Sequence, residues 1–246
     1  MGLTIHYRIA LKPEDTADGV VEARKLTARA RQFAQQLRRQ GRVDGVGPLR
    51  ADPALWQHAP FFLKYLHPEH GWSWRPVFPL EGWLFLVEVG PGCETLRLGL
   101  CRYPVPGRNL GRRRLKQAQA VWRLEAFCKT QYASLHGWEH FRRCHLAVLD
   151  LVDFWRTFGA RVHIADEGGY WPRGSERALR RSLGELNGAV AGLAGALKDA
   201  ATEGTIESPI FSHPQFERLE AEGGTSLGRQ PLRQAVTLVS EIRARL

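Results

Sequence analysis

The chain has 246 residues, 43% of them hydrophobic, and a formal net charge of +10. That length builds a full core, read here as one domain over residues 1–246 with a basic loop at 102–116 and a helical part at 174–246. No apolar run approaches the ~20 residues of a bilayer-spanning helix, and the start lacks the basic-then-apolar pattern of a signal peptide, so a cytoplasmic protein without a membrane partner is expected.

Leu3–Leu11 alternates, with Ile5, Tyr7, Ile9 and Leu11 on one face and Thr4, His6, Arg8 and Ala10 on the other, which predicts a half-buried strand. A helix follows, capped near Pro13–Thr16 and stopped by Gly41, with Leu26, Ala30, Phe33 and Leu37 at helical spacing. Its other faces carry Arg24, Lys25, Arg29, Arg31, Arg38 and Arg39. Prolines and glycines break residues 42–80, where a short helix is expected near Pro53–Leu66 and where Trp56, Phe61, Phe62, Tyr65, Trp72 and Trp74 demand burial or a partner. Gly82–Val89 and Glu94–Tyr103 read as a hairpin whose first strand, apolar on both faces, is central. Gln117–Thr130 reads as helix, Glu139–Phe158 as a second helix and Arg161–Asp166 as a strand. Ser175 caps a further helix with a Gly184, Gly188, Gly192 stripe, whose glycines imply close approach of another backbone. Ser212–Glu217 is a loop, and Pro231–Leu246 a last helix. This order predicts an α+β fold, a mixed sheet of about four to five strands packed by long amphipathic helices, with the helix before Arg161–Asp166 as a crossover.

The candidate chemistry concentrates between Glu125 and Trp171. His163, Asp166 and Glu167 sit at the end of a predicted strand, where a His with two carboxylates does acid–base work or holds a divalent metal. The plainer reading makes Asp166 a turn acceptor. Cys128 is a candidate nucleophile beside Lys129, although its apolar neighbours suit a buried thiol. His140 and Cys144, four apart on one helix, are a candidate metal pair, though such residues on an apolar stripe more often pack a core. No cofactor is predicted beyond that divalent metal. The four cysteines form no CxxC pair, so neither a disulfide framework nor a zinc ribbon is signalled.

Arg102, Arg108, Arg112, Arg113, Arg114 and Lys116 form a basic stretch that suits phosphate contacts to nucleic acid or to an acidic protein surface. An Arg excess of this size also follows from GC-rich coding, because only Lys12, Lys25, Lys64, Lys116, Lys129 and Lys198 among the 35 basic residues are lysine. The strings Phe127–Ser134, Arg143–His145, Asp166–Trp171 and Phe216–Gly223 resemble segments of a family of uncharacterised bacterial proteins of about this length. That resemblance brings with it no activity and no functional residue. The leading expectation is a binding or accessory protein without catalysis, whose Arg-rich surface engages nucleic acid or an acidic partner. The alternatives are a hydrolase-type enzyme at the His163/Asp166/Glu167 turn, or a structural subunit that meets a partner subunit through its aromatics.

Overall fold

The computed structural model describes residues 3–11, 19–67, 71–103, 122–200 and 207–226. They form the α+β fold that the pattern of elements implies, with a six-stranded sheet and a separate two-stranded one. The chain divides into two compact units. One comprises Ile5–Cys128 and Arg142–Ala165, the other Met1–Thr4, Lys129–Phe141 and Asp166–Leu246.

The first unit is built on the large sheet. Its strands are β1 (Thr4–Ala10), β2 (Gly45–Val46), β5 (Glu81–Glu88), β6 (Leu96–Arg102), β7 (Trp122–Lys129) and β8 (Arg161–Asp166), in the order β2-β5-β6-β7-β1-β8. β5 pairs antiparallel with β2 and β6, and β6 with β7. The amide of Leu11 donates to Trp122 O and that of Thr130 to Leu3 O, which runs β1 antiparallel to β7; the Glu167 amide donates to Thr4 O, which does the same for β8. β7 and β8 therefore flank β1 in a common direction. The helix between them, α3 (Trp138–Asp153), is the crossover expected from the sequence, between parallel strands that are not neighbours.

Period-two patterning decides the two faces of this sheet. Ile5, Tyr7 and Ile9 of β1, Leu96, Leu98 and Leu100 of β6, Leu124 and Cys128 of β7, and Val162 and Ile164 of β8 are buried on the inner face. α1 (Gly19–Arg39) packs there through Ala23, Leu26, Ala30, Ala34 and Leu37, and ends at Gly41 with φ of +70°. Each buried leucine of that stripe contributes ~1.5–3 kcal/mol. Phe33 lies beside it, stacked on Phe154 at 4.0 Å between ring centres. Cys144, His145, Val148 and Val152 of α3, and Trp155 of the 3-10 turn that follows it (Phe154–Phe158), are sealed as their spacing implies.

Three expectations are corrected. Residues 122–129 are the strand β7, not helix, because Trp122, Leu124 and Cys128 alternate inward while Arg123, Glu125 and Phe127 alternate outward. Helix formation after Asp52 stops within one turn, α2 (Pro53–Trp56), and the bulky run that follows pairs instead as β3 (Phe61–His67) with β4 (Gly71–Val77). β5 lies next to an edge rather than centrally, since its second neighbour is the two-residue β2.

In the other unit, α4 (Glu176–Ala200) opens on Ser175, whose Oγ accepts the Ala178 amide at 3.2 Å. α5 (Phe216–Ser226) begins where the loop reading of Ser212–Glu217 would end, and it packs on α4. A Cβ added at Gly223 would stand 1.8 Å from Gly188 O and 3.2 Å from Gly192 N, so two glycines of the stripe serve the expected close approach. No described atom lies within 4 Å of a Cβ built on Gly184. Ala191, Ala194, Ile210 and Leu219 form the core between these helices.

Candidate nucleic-acid interface

The outer face of the sheet in the first unit forms the floor of a cleft of about 740 Å³, within the ~300–1,000 Å³ typical of ligand sites. β1 contributes His6 and Arg8, β7 Glu125 and Phe127, β6 Arg97, and β8 His163 and Ala165. The wall is Phe61, Phe62 and Trp74 of the β3–β4 hairpin, with His58 before it. Strand alternation explains the floor directly, because the residues that bury Ile5, Tyr7 and Ile9 inward must turn His6 and Arg8 outward.

Specific contacts fix the wall over the floor. Phe61 meets the Tyr103 ring edge-on at 4.9 Å, and the Arg123 guanidinium lies 3.4 Å over the Phe61 ring centre. Tyr103 donates to Ala59 O at 2.6 Å, and burial pushes its phenol pKa upward, so it stays a neutral donor. Arg97 donates to His58 O and accepts, through its own carbonyl, the Tyr7 hydroxyl at 2.5 Å. Burial lowers the Arg123 pKa, with Glu125 acting in the opposite sense.

Two pairs organise the floor. The His6 and Phe127 rings lie 5.9 Å apart and tilted at 45° on the two adjacent strands β1 and β7. One row along, Arg8 binds Glu125 at 2.7 Å, and Arg123 stands 4.0 Å from the same carboxylate. Among the described residues of β1, β6, β7 and β8 in this unit, the outward charges are Arg8, Arg97, Arg123 and Arg161 against Glu125. Glu94 adds an acid on the loop at one end of the cleft.

His163 lines the cleft. The Asp166 carboxylate accepts the amides of Gly168 at 2.7 Å, Tyr170 at 2.8 Å and Trp171 at 2.9 Å, and Glu167 accepts the Thr4 amide at 3.0 Å. Both acids thus organise backbone. The Cys128 thiol is buried and donates to Glu94 O at 3.2 Å. Burial first, then Glu94 and Cys144, push its pKa up to about 12, so the thiol stays protonated at neutral pH.

Cys144 is likewise buried, 3.8 Å from Val89 O, and a hydrogen bond from Cys93 draws its pKa down while that of Cys93 rises. His140 meets His136 edge-on, with ring centres 5.1 Å apart. Among the described residues no three His, Cys, Asp or Glu side chains are grouped to hold a metal ion.

Of the basic stretch, Arg102 ends β6 and is tied to Glu81. Arg108, Arg112, Arg113, Arg114 and Lys116 lie outside the described residues. Among the described residues no helix is long and apolar enough to cross a membrane. The chain matches no protein-family model, and neither the curated proteins nor the solved structures include a significant match to it.

Proposed function

We infer that this chain is a non-enzymatic nucleic-acid-binding protein whose contact surface is the outer face of the sheet. The observation that carries the reading is the set of arginines on β1, β6, β7 and β8 of that face: Arg8, Arg97, Arg123 and Arg161, against Glu125, which Arg8 binds at 2.7 Å, and Glu94 at one end of the cleft. A polyanion that binds there releases counterions, which is the main source of sequence-independent affinity for nucleic acid. Arginine also presents a planar fork that fits phosphate oxygens, which lysine does not. The engagement of Asp166 and Glu167 by backbone amides and the burial of Cys128 weigh against the hydrolase reading.

Salt dependence tests this function. With about four phosphates contacted, oligonucleotide affinity should fall roughly 50-fold between 50 and 200 mM salt, since the logarithmic slope is about −0.7 per contact on a single strand. The check is fluorescence anisotropy of a labelled oligonucleotide with purified protein. Absence of binding at the lower salt would overturn the reading and return the positive charge to coding bias.

A further inference from the structure

We propose that the cleft between the β3–β4 hairpin and the sheet takes single-stranded nucleic acid, with bases stacked on Phe127 and Trp74 and the backbone running along the arginines. This rests on the functional reading above and narrows its ligand.

The aromatic side chains carry the inference. Phe127 is 50% exposed, Phe62 56%, Trp72 66% and Trp74 63%, although each is large enough to be worth burying. Phe62, Trp74 and Phe127 all border the one cleft, and Trp72 stands two residues before Trp74 on the same strand. A sheet that already buries Trp122 and Phe85 has no shortage of core aromatics. The surface group therefore forms a patch that a ligand with flat apolar faces would cover.

Charge selects among such ligands. An apolar peptide would cover the rings and offer the arginines of the same face no anionic partner, whereas a nucleotide strand supplies a ring face and a phosphate at each step. Single-stranded bases stack on aromatic side chains with little sequence preference, and sheet surfaces that carry such rings are a recurring platform for them. In a duplex the base faces are stacked on one another and are not presented. The imidazole of His6 beside Phe127, at 5.9 Å between centres, extends the platform across two strands. Arg8, one row further along β1, then lies where the backbone of a base stacked on Phe127 would pass.

The test compares four labelled ligands of equal length and sequence: single-stranded RNA, single-stranded DNA and the corresponding two duplexes. Each is titrated against the full chain and against Phe127→Ala, Trp74→Ala and Phe127→Tyr. The expected result is preference for one or both single strands over duplex, with the RNA and DNA arms showing which sugar is favoured. Each alanine variant should weaken single-strand binding by about 10- to 100-fold, in the range of one lost stacking contact. Phe127→Tyr should restore it, and thermal melting should be unchanged because both rings are exposed. Equal binding of duplex and single strand, with both alanine variants neutral, would overturn this proposal and leave the polyanion reading standing. No binding of any of the four ligands would overturn both.

Discussion

Replacement of Gly99 by alanine is expected to lower the melting temperature by about 10 °C or more. Gly99 sits in β6 with φ of +143°, a conformation that side-chain-bearing residues rarely adopt. An added Cβ would stand 2.0 Å from Trp83 O and 2.9 Å from Leu84 Cα. Neither neighbour can yield cheaply, because both are backbone atoms of β5 in the register that pairs Leu84 with Gly99. The β5–β6 ladder must open locally, at ~4 kcal/mol or more when the positive φ is included. For a chain of this size each kcal/mol shifts the midpoint by about 2–4 °C. Differential scanning calorimetry checks the effect, and a shift within 2–3 °C would show that the pairing tolerates the extra carbon.

The combined charge reversal Arg8→Glu with Arg161→Glu is expected to weaken nucleic-acid binding by roughly 100-fold at 100 mM salt and to reduce the salt slope by about two contacts. Arg8 and Arg161 project from β1 and β8 on the outer face, and both are exposed. Their loss removes two phosphate partners, and the glutamate at position 8 would face Glu125 across the strand pair, adding repulsion. Arg38→Glu with Arg39→Glu, in the last turn of α1, changes the net charge by the same amount at another place. That control should leave affinity within about threefold, since exposed charges beyond a Debye length of ~10 Å are screened. Equal losses in the two double variants, measured by anisotropy, would mean that overall charge rather than the sheet face governs binding.

The inner face was readable because it obeys simple periods. Strict alternation in β1 and helical spacing in α1 follow from burial alone and are found where the pattern places them, whereas the helix expected over Glu139–Phe158 is α3 to Asp153 and then a 3-10 turn, Phe154–Phe158, that ends at Gly159. The candidate site was half legible. Alternation already turned His6 and Arg8 away from the core in β1, and Arg97 away from Leu96 and Leu98 in β6. The error at β7 hid the rest. Read as helix, at about 100° per residue, Arg123, Glu125 and Phe127 scatter around the axis; read as strand they form one row beside His6 and Arg8. Leu124, Glu125 and Ala126 favour helix locally, and only pairing with β6 and β1 outweighs that preference, a non-local effect. The β3–β4 hairpin was obscured by Pro60, just before β3, and by Pro76, which pairs with Phe62 one position from the end of the ladder. Asp166 illustrates a site where both readings were open in the sequence: its carboxylate accepts three amides within five residues, as the plainer turn reading has it.

The most direct measurement is ultraviolet cross-linking of a single-stranded oligonucleotide to the native protein, followed by mass spectrometric mapping of the modified peptides. Cross-links at Phe127, His6 and Trp74, lost when excess unlabelled strand competes, are the expected result. Cross-links confined to the α1 helix or to residues 104–121, with β1, β4 and β7 unmodified, would contradict the assignment of the sheet face as the binding surface.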